Sequence, residues 1–137
     1  MNLEHFKLGI NRSFHDEKIY FIFCDAKTKE ESSYLLVVID EKNGHDNKHF
    51  SIPFDDESTA SLKEMFDLAW GYNRKDASSG MDGSYWCLEV KRQMTYTKGC
   101  FYYPIANSEE RGLLGLFNLG NYLWGKAKLE KQYGKLF

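Results

Sequence analysis

Two apolar runs of six residues, Ile19–Cys24 and Tyr34–Ile39, constrain this chain more than anything else in it. Both are rich in β-branched and aromatic side chains, which suit strands. In the first, Ile19, Phe21 and Phe23 fall on one face and Tyr20, Ile22 and Cys24 on the other. In the second, Leu35, Val37 and Ile39 oppose Tyr34, Leu36 and Val38. With both faces apolar, the expectation is a pair of central strands covered on both sides. Neither run approaches the ~20 residues of a membrane helix. Asn43-Gly44 follows the second run, and both residues tolerate the positive φ of a two-residue type I′ turn. With that turn, Val37 stands opposite Phe50 and Leu35 opposite Ile52, so apolar side chains meet on one face. Pro53 cannot donate to a ladder, which makes 48–54 an edge strand.

The rest of the 137 residues falls around this hairpin. Leu3–Ile10 alternates weakly, as a strand or an irregular arm, with Phe6, Leu8 and Ile10 on one face. Residues 58–73 form a helix on the spacing of Leu62, Met65, Phe66, Ala69 and Trp70, with Ser58 or Ser61 as its N-cap. Tyr85–Lys91 and Thr95–Ile105 pair as a second hairpin, with Trp86, Leu88, Val90, Phe101, Tyr103 and Ile105 inward. Tyr85, Cys87, Glu89, Tyr96, Lys98, Cys100 and Tyr102 take the other face. The simplest expectation is that a helix covers that face; the alternative is a binding surface. A second helix runs over 108–132, capped by Asn107 with Glu110. It carries Gly112, Gly115, Gly120 and Gly125, where close packing or a break near Gly120 or Gly125 is expected. Two prolines, no repeat and no linker leave one domain, 1–137. The fold class is α+β: a mainly antiparallel sheet of about five or six strands with two main helices, 58–73 and 108–132.

Composition excludes several functions. A net charge of −2 argues against a dedicated nucleic-acid binder, and 42% hydrophobic residues against disorder. Lys98–Tyr103 departs from the aromatic RNA-binding strand pattern, with Cys100 at an aromatic position. The start of the chain, with Glu4 and His5, does not read as a signal peptide, so a cytoplasmic location is expected. Cys24, Cys87 and Cys100 lack metal or disulfide spacing and are expected to be reduced and buried. His45 and His49 flank a turn, a geometry that gives no shared metal site. Phosphate loops, nucleophile elbows and zinc-protease motifs are all missing. The expectation is therefore a protein with no cofactor, no metal and no catalysis of its own. An enzyme whose site converges from distant segments is the alternative, and an accessory subunit of a larger complex is a third reading.

What remains is surface. Asp55, Asp56 and Glu57 precede a helix, where its dipole already favours negative charge. Tyr85 and Tyr102 offer large contact area with few torsions to freeze. The stretch Met81-Asp82-Gly83-Ser84-Tyr85-Trp86-Cys87-Leu88-Glu89, followed by a strand, Pro104 and a helix, resembles a D-G-x-x-W-x-L-E pattern. Small bacterial toxin-immunity proteins, from contact-dependent growth inhibition and other polymorphic toxin systems, carry that pattern. The likeness spans about residues 80–130. It implies an inhibitor that binds and neutralises a cognate toxin domain acting in the cytoplasm, a nuclease being one candidate. On that reading Asp55, Asp56 and Glu57 form an acidic patch for a basic partner, and Tyr85 and Tyr102 are aromatic anchors. Neither nucleic acid nor membrane is an expected partner.

Overall fold

The computed structural model describes residues 5–11, 17–25, 32–41, 48–70, 85–92, 95–102, 113–134 and 136. Six strands form one antiparallel sheet: β1 (His5–Asn11), β2 (Glu17–Cys24), β3 (Tyr34–Glu41), β4 (Lys48–Pro53), β5 (Tyr85–Arg92) and β6 (Thr95–Tyr102). Their spatial order is β4-β3-β2-β1-β5-β6. The first four strands are a meander. After helix α1 (Asp56–Trp70) the chain reaches the far side of β1 and closes with the β5–β6 hairpin. The stretch that could be a strand or an irregular arm is thus a strand from His5 to Asn11, and a central one.

The first hairpin has the expected register: Val37 pairs with Phe50 and Leu35 with Ile52, with β4 at the sheet edge. The Asn43-Gly44 turn itself lies outside the described residues, as do Tyr103, Pro104, Ile105 and the Asn107 cap.

The core lies on one face of the sheet. Phe6, Leu8, Ile10, Ile19, Phe21, Phe23, Leu35, Val37, Trp86 and Leu88 are all buried there. Phe66 of α1 stacks on Phe6 with ring centroids 5.1 Å apart. Helix α2 (Leu114–Lys126) lies beside α1 and runs antiparallel to it. Gly115 at its start meets the Leu68 backbone, and Lys126 at its end reaches Ser58. A Cβ on Gly120 would fall within the Trp86 indole, so glycine lets α2 settle directly onto that ring. Close packing was expected at some of the helix glycines, and Gly115 and Gly120 supply it. Gly125 has nothing within 4 Å of where its Cβ would be.

Both helices depart from their sequence limits. α1 begins at Asp56, because Asp55 takes the N-cap position in place of Ser58 or Ser61: the Ser58 amide donates to Asp55 Oδ1 at 2.7 Å. Over its described part, from 113 on, the expected 108–132 helix is two pieces, α2 and the short α3 (Glu130–Tyr133). They are separated by a C-terminal motif in which the Leu129 amide donates to the Trp124 carbonyl and the Lys128 amide to the Gly125 carbonyl. α2 ends at Lys126, so the break expected near Gly125 is there, with Lys128, φ 55°, and not a glycine as the left-handed residue of the motif.

The expectation that β2 and β3 are covered on both faces is overturned. Tyr20, Ile22, Cys24, Leu36 and Val38 are only half-buried, and no described helix lies over them. They shelter one another as neighbours across the ladder, and among the described residues this side is an open sheet face.

Candidate functional site: the open face of the sheet

Strand pairing arranges the open face as a grid. One row runs Asp40, Lys18, Asn11, Tyr85, Tyr102 from β3 to β6. The next runs Val38, Tyr20, Gly9, Cys87, Cys100, and the third Leu36, Ile22, Lys7, Glu89, Lys98. Gly9 sits in the middle without a side chain, and the Tyr20 ring leans over it, 3.1 Å from where a Cβ would be. The result is a depression of about 270 Å³. Lys7, Lys18, Tyr20, Tyr85, Glu89 and Lys98 rise around it. Its described lining carries three lysines against one glutamate, in a chain whose net charge is −2.

Glu89 organises one side. It accepts a hydrogen bond from the Tyr96 hydroxyl and lies 3.8 Å from the Lys7 ammonium. That carboxylate acceptor holds the Tyr96 phenol above its ordinary value of 10.0. Lys7 also sits over the Tyr20 ring, 4.7 Å from its centroid. Lys18 and Lys98 form no ion pair among the described residues.

The hairpin that carries Tyr85 is covalently tied. Cys87 and Cys100 stand directly opposite, Cα atoms 4.1 Å apart, and form a disulfide. This corrects the expectation of three reduced, buried thiols. All three cysteines point to the open face: Cys24 is free and half-buried, and Cys100 is exposed. The signal was in the register, since β5–β6 partners have numbers that sum to 187 and 87 with 100 is one such pair.

Of the expected site residues, Tyr85 is 45% exposed on the rim of the depression. Tyr102 is its ladder partner on β6. Tyr96, not among the expected anchors, is the more exposed tyrosine at 62%. No described helix shields either Tyr85 or Tyr96. Asp55, Asp56 and Glu57 are exposed but belong to the other layer, at the start of α1. Asp55 is engaged as the cap, and the hydrogen bond from the Ser58 amide lowers its carboxyl below the ordinary 3.8. The acids and the tyrosines therefore do not form one patch.

Among the described residues no group of three or more His, Cys, Asp or Glu side chains could hold a metal. No described helix is long and apolar enough to cross a membrane. Neither a known protein family nor a curated protein matches this chain.

Proposed function

We propose that this protein is an inhibitor that binds a cognate bacterial toxin domain acting in the cytoplasm, and that it does so through the open face of its sheet. The observation that carries the reading is a rigid surface with unused contact chemistry. Tyr85 and Tyr96 stand exposed on the β5–β6 hairpin beside a depression, and all of it is backed by a packed core. Interfaces draw their energy from such aromatic anchors, preorganised so that little entropy is lost on docking. The D-G-x-x-W-x-L-E likeness, whose Tyr85–Glu89 portion is the first half of β5, supplies the toxin-immunity context.

Tyr85 and Tyr102 act as contacts in this reading. Asp55, Asp56 and Glu57, on the helix layer, stay outside the interface and act at most on the approach of a charged partner. A nuclease partner would bring a basic surface, which the lysines around Gly9 do not favour.

Co-expression with the toxin domain encoded beside this gene tests the proposal. A one-to-one complex and protection of the cells are expected. Failure to bind or protect, together with turnover of a small molecule by the isolated protein, would move the assignment to an enzyme.

A further inference from the structure

The charge of the open face says what kind of partner it takes. The chain as a whole is slightly acidic, yet among the described residues lining the depression over Gly9, Lys7, Lys18 and Lys98 stand against Glu89, with Asp40 across the ladder from Lys18 outside it. Lys7 is already committed to Glu89 and the Tyr20 ring. Lys18 and Lys98 are not committed to any carboxylate among the described residues. In the grid they stand on a diagonal, three strand spacings apart in one direction and four residues apart in the other. At ~4.8 Å per strand and ~3.3 Å per residue that diagonal is roughly 19 Å, the length of about six residues of extended chain.

We propose that the open face docks an extended acidic segment of the partner protein. The segment has carboxylates near each end that meet Lys18 and Lys98, and an apolar or aromatic side chain between them that fills the depression. This rests on the reading of the protein as a binding inhibitor and specifies the chemistry that it recognises. It reverses the sign suggested by the acidic balance of the sequence. Gly9 provides the floor, since any Cβ there would crowd the Tyr20 ring. Tyr20 and Tyr85 provide the walls for the inserted side chain. A protein segment fits better than a nucleic-acid strand. Glu89 stands on one side of the surface, across the ladder from Lys98, where it would repel a phosphate backbone but can accept a hydrogen bond from a peptide amide.

Two measurements on the full chain test this. In the first, the ¹⁵N-labelled protein is titrated with a seven-residue peptide carrying a central tyrosine between pairs of glutamates. The same peptide with lysines and a single-stranded RNA oligonucleotide are titrated in parallel. The glutamate peptide should shift the amide resonances of Gly9, Tyr85 and Lys98, and Lys18→Glu with Lys98→Glu should abolish those shifts. A stronger response to the lysine peptide or the RNA, or no response to any probe, would overturn the proposal. In the second, the binding of the neighbouring toxin domain is compared between wild type and the Lys18→Glu, Lys98→Glu double variant. A loss of tenfold or more is expected. An unchanged affinity would refute the acidic-segment proposal and leave the inhibitor reading standing. Peptide shifts without toxin binding would do the opposite. Both substitutions are at solvent-exposed positions, and an unchanged thermal transition of the variant confirms that its fold is intact.

Discussion

At the scale of single residues, the helix layer is held by choices that a substitution can reverse. Gly120→Ala places a methyl group into the Trp86 indole. Overpacking of that kind costs roughly 1–3 kcal/mol. Gly125→Ala meets nothing within 4 Å and relieves a helical glycine, so it should stabilise by up to ~1 kcal/mol. Opposite signs for two identical substitutions five residues apart, read by urea denaturation, check the placement of α2. Asp55 makes a prediction in pH. Its folded carboxyl lies below the ordinary 3.8 because the Ser58 amide donates to the carboxylate. The stability it adds is therefore full above pH 3.8 and is lost as pH falls through the lower folded value. Asp55→Ala should lower the melting temperature at neutral pH, and its curve should converge on wild type in acid. Asp55→Asn, which keeps a capping oxygen, should hold most of the stability and lose the pH dependence.

At the scale of elements, the β5–β6 hairpin makes the most direct prediction. Unreduced protein should weigh two hydrogens less than reduced protein and titrate one free thiol, that of Cys24. Replacing Cys87 and Cys100 with serine should cost ~2 kcal/mol, as removal of a short-loop cross-link does. The strands were legible in the sequence because a two-residue period with apolar side chains leaves few alternatives. Val37 and Phe50 paired as the Asn-Gly turn required. The disulfide was missed because cysteine spacing along the chain was weighed and the ladder position of Cys100 opposite Cys87 was not. The end of α2, one residue past Gly125, falls where a break is expected, but the residue that makes it is not a glycine. Glycine is the usual left-handed residue at a helix end, and here Lys128 takes that role with φ 55°. Lys128→Gly should accordingly stabilise the protein by ~1 kcal/mol. The open face was hidden because Tyr20, Ile22, Leu36 and Val38 read as core, although a row of such side chains can half-bury itself across a ladder.

At the scale of the whole molecule, the fold divides its work between two sides. Helices α1 and α2 close the core on one face, and the other face presents Tyr85, Tyr96, the lysines and the depression over Gly9. The acids expected to contact the partner along with the tyrosines lie in the helix layer, so the tyrosine side and the acidic side can be tested separately. The most direct test is the dissociation constant for the neighbouring toxin domain, measured by calorimetry for wild type, Tyr85→Ala and Asp56→Lys. The account predicts that Tyr85→Ala weakens binding by ~2 kcal/mol or more, roughly thirtyfold, chiefly through faster dissociation. Asp56→Lys should leave the constant within a few-fold of wild type. A Tyr85→Ala variant that binds as tightly as wild type while Asp56→Lys loses affinity would contradict the assignment of the open face.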